Sequence, residues 1–397
     1  MVIRISDKTQ NYSKVTKLLV KPNKNPNVPN LRFSYKGDWS KRKLNEICLF
    51  FKGNGLSKSE LSNEGFPCIL YGELYTTYKN EVISDIISKT NTTLSNPFLS
   101  RNNDLIIPGS GEDPIDIAVT RAIYQNDIIL GGDLNILRPK SNVSAAFLSY
   151  QLNGVRRYDI AKKAQGKSIV HLHNSDLKEV LVSIPSYDEQ LHIVKLLTKI
   201  DEMIETQSKI IEDYKALKKK ISKQVIGSQK PNTHIYECLE NNSSSSKESD
   251  FDEYTEGQFP IYGANGVIKH INSYLIDIPS ISIVKDGAGV GRTRFLYGKY
   301  TVIGTLNYLT SKNGYDLLYL YYALDNLDFT KYIVGSGIPH IYFKDYKHEM
   351  IYIPKDEKTI NKIVRCLSSL DLLIHNEQNL LLYLTKQKEY LLNNMFI

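Results

Sequence analysis

The chain repeats itself once, and that repeat limits what it can fold into. His171-Leu172-His173-Asn174-Ser175-Asp176-Leu177-Lys178 runs on to Val182-Ser183-Ile184-Pro185; its echo, His340-Ile341-Tyr342-Phe343-Lys344-Asp345-Tyr346-Lys347, runs on to Ile351-Tyr352-Ile353-Pro354. Upstream, Gly132-Asp133-Leu134-Asn135-Ile136-Leu137 returns as Gly304-Thr305-Leu306-Asn307-Tyr308-Leu309. A period of roughly 170 residues is the size of a domain, so it predicts a duplicated domain rather than a solenoid of short repeats. Two related halves suit a target that itself has two parts.

Composition sets the outer bounds. With 397 residues there is room for two cores, and 41% hydrophobic with 23% charged residues is ordinary for a globular chain. No apolar run of about 18 residues occurs, so no membrane span is expected. The start, Met1-Val2-Ile3-Arg4-Ile5-Ser6-Asp7-Lys8, is too polar for a signal-peptide core. Cys48, Cys68, Cys238 and Cys366 lie far apart with no CxxC pair, which argues against a disulfide framework or a zinc site. Together these predict a reduced, cytoplasmic protein. A formal charge of +7 permits a polyanionic partner such as DNA or RNA without demanding one.

The chain divides by pattern. Residues 1–30 are polar and rich in Asn, Lys and Pro and read as a loose arm. Segments 31–185 and 229–354 are rich in short β-type runs broken by Gly, Asn and Asp, among them Leu105-Ile106-Ile107, Ile128-Ile129-Leu130, Ile281-Ser282-Ile283-Val284 and Tyr300-Thr301-Val302-Ile303. The tract Glu240-Asn241-Asn242-Ser243-Ser244-Ser245-Ser246-Lys247 reads as a mobile surface loop.

After Pro185 and Pro354 the period changes. No Gly or Pro occurs from Tyr187 to Ile226 or from Lys355 to Ile397. A seam runs Leu197, Ile200, Ile204, Gln207, Ile211, Tyr214, Lys218, Ile221, Val225. Shifted by 170 it becomes Leu367, Leu370, Ile374, Glu377, Leu381, Leu384, Lys388, Leu391, Met395. Even the polar interruptions coincide. Alternating 3/4 spacing predicts two long helices with narrow apolar seams, residues 186–228 and 355–397, whose natural partner is each other. Helices of about 38 residues span roughly 57 Å. An antiparallel pair would hold two globular modules apart and act as a ruler along a duplex. The alternative is that each seam packs on its own globular segment.

The search for chemistry is mostly negative. Lys285-Asp286-Gly287-Ala288-Gly289-Val290-Gly291-Arg292 follows a strand-like run but lacks the GK[ST] ending of a P-loop, and Thr293-Arg294-Phe295-Leu296-Tyr297 after it looks extended. The run reads instead as a glycine-rich hairpin displaying Lys285, Arg292 and Arg294, which suits phosphate or guanine contact or a solvated loop. Asn96-Pro97-Phe98 lacks the second proline of an amino-methyltransferase motif and reads as a turn. His171 and His173 would share one strand face, with no Cys or acidic partner at ligand spacing. His340 occupies the position in the second copy that His171 occupies in the first. Lys215, Lys218, Lys219, Lys220 and Lys223 form a cationic end to the first long helix, either a macrodipole cluster or a phosphate-facing patch. No Ser/His/Asp set, HExxH or Walker pair is found, which favours a binding protein.

The ordered pieces resemble the DNA-specificity subunit of type I restriction-modification enzymes. The first copy carries His171-Leu172, Asp176-Leu177, Ile184-Pro185 and Glu189-Gln190. Gly37-Asp38-Trp39, Lys43-Leu44, Ile106-Ile107-Pro108-Gly109-Ser110-Gly111 and Ile129-Leu130-Gly131-Gly132-Asp133-Leu134-Asn135-Ile136 are also similar. The second copy departs from the pattern, with Asp356-Glu357-Lys358-Thr359 where Glu-Gln is expected. The resemblance implies an α+β chain: two tandem β-rich target recognition domains, each followed by a long helix, the helices pairing as an antiparallel coiled coil with pseudo-twofold symmetry. It implies partners: double-stranded DNA, two methyltransferase subunits carrying S-adenosylmethionine, and restriction subunits using ATP. The chain itself would then hold no cofactor and no catalytic residue. Candidate DNA contacts are Arg101, Ser110, Lys162, Lys163 and Lys167 in the first domain and Lys285, Arg292, Arg294 and His340 in the second. Two other classes stand beside this reading: a stand-alone DNA-modifying enzyme, and a coiled-coil scaffold with no DNA role.

Overall fold

A computed structural model describes residues 25–251, 257–335 and 337–397, so most of the N-terminal arm, residues 1–24, lies outside the described residues. The described residues form two compact units, one from residues up to 207 together with 380–397, the other from residues between 208 and 379.

In the first unit β1 (Ser40–Lys43) pairs antiparallel with β10 (Leu181–Ile184), closing the globular part at its two chain ends. Between them a five-stranded sheet has the order β2 (Cys48–Lys52), β7 (Leu134–Pro139), β4 (Asp104–Pro108), β6 (Arg121–Ile123), β3 (Val82–Ile83). Strand β4 is buried along its whole length, which is why its sequence after Asp104 is continuously apolar instead of alternating. Helix α1 (Ala145–Asn153) is buried on nearly every face, and its first turn is capped by Ser144, whose Oγ accepts the Phe147 N–H at 3.3 Å. A smaller three-stranded sheet joins β8 (Gln165–Gly166), β9 (Val170–His171) and β5 (Ser110–Gly111).

The second unit repeats the plan. β11 (Thr233–His234) pairs with β16 (Met350–Ile351). A four-stranded antiparallel sheet has the order β12 (Leu239–Ser243), β15 (Leu306–Ser311), β13 (Ser280–Val284), β14 (Thr293–Leu296). Helix α3 (Leu317–Leu324) is capped by Asp316, which accepts the Tyr319 N–H at 2.7 Å, the counterpart of Ser144 on α1.

Helix α2 (Tyr187–Ser222) ends in a π-turn, Lys223–Gly227, and α4 covers Glu357–Asn394. Within the first unit the two run antiparallel: Ile193 and Leu197 share a core with Leu391 and Met395, while Met203 and Thr206 lie near Leu380 and Leu384. Within the second unit Ile221 and Ile226 meet Ile360, Ile363 and Leu367 in the same sense. No helix among the described residues is long and apolar enough to cross a membrane.

Three expectations change. Half of the Glu240–Lys247 tract is not a loop: Glu240 to Ser243 form most of edge strand β12, paired with β15 from Leu239↔Ser311 to Ser243↔Asn307. Backbone pairing decides this, and an edge strand tolerates polar side chains on its open side. The described end of the N-terminal arm is not loose either. Val28 is buried with Trp39, Phe147 and Phe396, and the Trp39 N–H donates to the Asn27 carbonyl at 3.0 Å. Lys218 is not free to join a phosphate-facing patch, since its ammonium is bonded to Asp371 at 2.6 Å.

Candidate nucleic-acid interface

The repeated histidine motif builds the same junction in both units. In the first, β4 runs out at Pro108 and the Gly109 N–H donates to the Asp133 carbonyl at 2.6 Å. A side chain at Gly109 would meet Asp133 Oδ1 at 2.4 Å, so only glycine passes so close to the turn. The chain then enters β5, where Ser110 lies opposite His171, and the Leu172 N–H donates to the Gly109 carbonyl at 2.8 Å. The buried Asn135 amide staples the joint by donating to the carbonyls of Pro108 at 3.2 Å and Leu172 at 2.8 Å.

In the second unit the matching bonds recur. The Lys285 N–H donates to the Thr305 carbonyl at 3.0 Å, the Ile341 N–H donates to the Lys285 carbonyl at 2.9 Å, and Asp286 lies opposite His340. Beyond Asp286 the glycine-rich run is a hairpin between β13 and β14, not a nucleotide loop. Gly287, Gly289 and Gly291 all have positive φ, near 85°, and the Gly291 N–H closes onto the Val284 carbonyl at 2.9 Å. A second loop is tied in by reciprocal backbone bonds between Val334 and His340, 2.8 and 2.9 Å long.

The two junctions differ in their side chains. Ser110 Oγ donates to the Asp133 carboxylate in the first. In the second the carboxylate stands at the other position: Asp286 aligns with Ser110, and Thr305 with Asp133. Asp286 accepts from Lys285 Nζ at 2.6 Å and from His340 Nδ1 at 2.8 Å. Burial opposes ionisation there, but these two donors hold the Asp286 carboxyl below its ordinary value, so it is an anion at neutral pH.

The sequence candidates fall unevenly around these joints. Lys162 and Lys163 follow the short helix Arg157–Ala161, Lys167 lies in the turn between β8 and β9, and all three are exposed. Ser110 is only 7% exposed and its hydroxyl is committed to Asp133. Arg101 sits in the turn entering β4, at the opposite end of that strand from Ser110, and the fold separates it from the others. Lys285, Arg292 and His340 share one end of the second sheet, where the Arg292 carbonyl accepts the Val284 N–H at 3.0 Å. Arg294 lies further along β14, its guanidinium 6.0 Å from the centre of the Tyr262 ring. His173 lies past the end of β9 as the first residue before a short helix, and its ring stacks on His171 at 6.1 Å. Sequence reasoning missed Asp133, Asp286 and Thr305, because the carboxylate does not hold one alignment position across the repeat.

The type I restriction modification DNA specificity domain model matches the chain twice, over residues 36–215 and 233–389. The chain belongs to that family. It carries two DNA specificity domains, one for each junction, and the residues after Gly109 and Lys285 lie within the matched segments. Its fold is similar to the crystal structure of the type I restriction-modification system S subunit from M. genitalium, with a TM-score of 0.67 at 19% identity over 93% of this chain and 99% of that one. It is also similar to a chain from a structure addressing complex assembly and conformational transition of the type I R-M system, with a TM-score of 0.53 at 14% identity over 91% of this chain and 98% of that one. Departure from the family pattern after Pro354 has a local account. In the first domain Glu189 binds Arg32 through two 2.7 Å bonds and Gln190 accepts the Ser144 N–H at 2.9 Å; in the second, Asp356 instead caps α4 by accepting the Thr359 N–H at 2.8 Å.

Proposed function

We propose that the chain is the sequence-reading, non-catalytic subunit of a cytoplasmic type I restriction-modification complex. Each specificity domain reads one half of a split double-stranded DNA target. Two methyltransferase subunits bearing S-adenosylmethionine then methylate adenine N6 on a flipped base, and restriction subunits supply ATP-driven translocation and cleavage. The observation that carries this reading is one strand junction built twice with different side chains: Lys162, Lys163 and Lys167 near the first, Lys285, Arg292, Arg294 and His340 near the second. A shared backbone with unlike side chains is what two half-sites of different sequence require.

The test is a methylome. The chain is expressed with its cognate methyltransferase subunit in a host lacking adenine methylation, and N6-methyladenine is mapped by long-read sequencing. A split motif with a fixed gap is expected; an assembled complex that leaves no new methylation overturns the reading. In the same assay Arg292→Ala is expected to change one half-site only, whereas equal loss at all sequences marks Arg292 as a phosphate contact.

A further inference from the structure

A carboxylate is an odd group to find at the centre of a cationic joint, because facing DNA it would repel phosphate. Asp286 is nevertheless held there by two donors and by backbone bonds on both sides: the Gly287 N–H donates to the Pro339 carbonyl at 2.9 Å. Its anion has no proton to give, so the Nδ1 atom of His340, 2.8 Å away, must carry the hydrogen between them. That bond fixes the tautomer: in the neutral ring Nε2 is left as a bare acceptor. The ring is fixed in orientation as well. Tyr342 stacks on it, 6.5 Å between centroids and 16° from parallel, and a side chain at Gly335 would come within 3.3 Å of the ring carbon next to Nε2. The His340 side chain remains about one-third exposed.

We infer that Asp286 is a positioning residue for sequence reading by the second domain, holding His340 so that Nε2 accepts a hydrogen bond from a base-edge amino group. Adenine N6 and cytosine N4 are the major-groove amino donors that such an acceptor selects. The inference rests on the DNA-reading function proposed above. Asp286 touches no base itself; it acts through His340, while Lys285, bonded to the same carboxylate, is steadied at the strand end.

Two measurements test it. Nitrogen-15 NMR of the histidine rings in the full-length chain, with the His340 signal assigned by its loss in His340→Gln, is expected to show Nδ1 protonated and Nε2 bare. The opposite tautomer overturns the inference without any Asp286 variant having to fold. In the methylome assay, Asp286→Asn is expected to relax discrimination about tenfold at a single position of one half-site, and the same substitution in a His340→Ala background is expected to add nothing. Additive effects, a change in both half-sites, or no change at all overturn it. A wild-type complex that yields no split motif instead defeats the underlying DNA-reading function, so the two failures are distinguishable.

Discussion

The helix-facing sides of the two units carry the same three residue types in different surroundings. In the second unit Tyr322 Oη donates to Asp371 at 2.8 Å, and Asp371 takes Lys218 Nζ at 2.6 Å. In the first, Tyr150 Oη donates to Asp201 at 2.7 Å, and Asp201 takes Lys388 Nζ at 2.7 Å. Each lysine is a polar interruption of the apolar seam, and each aspartate lies on the other long helix, so the coincidence of interruptions records a twice-built ion pair. The first unit adds Glu81, 2.6 Å from Lys388. Side-chain exposures there are 16% for Lys388, 6% for Asp201 and 8% for Glu81, against 14% for Lys218 and 39% for Asp371. One triad is sealed around two carboxylates, and the other is open to water on its acidic side. Equivalent sequence therefore need not mean equivalent energetics, because solvent decides what a lost charge costs.

The largest expected effect breaks the sealed triad. Lys388→Met leaves two carboxylates buried without their cation and should cost about 3–5 kcal/mol, read as a lowered urea midpoint for the full chain. Lys218→Met should cost on the order of 1 kcal/mol, because water reaches Asp371. Equal costs for the two variants would refute the distinction drawn from burial. Smaller still, Tyr322→Phe should cost on the order of 0.5–1 kcal/mol in the same measurement. In Tyr150→Phe the loss should be greater, since Asp201 would lose a donor out of reach of water.

The sealed triad also sets a pH dependence. Burial opposes the Lys388 charge, but the two carboxylates outweigh it and raise its pKa above the ordinary 10.5. A raised lysine contributes stability that is fully present below its unfolded pKa and is lost as pH climbs through the folded one. Unfolding followed from pH 7 upward should therefore show this contribution disappear only in strong alkali, and only while Lys388 is intact. Burial, followed by the charge of Glu81, pushes Asp201 the other way from a typical paired carboxylate, above its ordinary value.

Much of this was legible in the chain alone. The duplication, the apolar run within β4, the alternating run of β13, the unbroken helices after each proline and the glycine hairpin all follow from local pattern, which backbone geometry enforces residue by residue. The repeat and the glycine-rich run by themselves pick out Lys285, Arg292 and His340 as candidates, and the three lie at one end of the second sheet. The polar tract Glu240 to Ser243 misled because strand pairing with β15 supplies what its own composition lacks.

Sequence by itself determined that there are two related domains, two long seamed helices and one histidine motif in each half. Tertiary structure alone decided which groups those motifs meet. Lys388 reaches Glu81 across 307 positions, and the junction carboxylate comes from Asp133 in one domain and from Asp286 in the other. A buried or semi-buried site fixes where a charge must stand in space, and more than one strand can deliver it there; no linear spacing records which strand does.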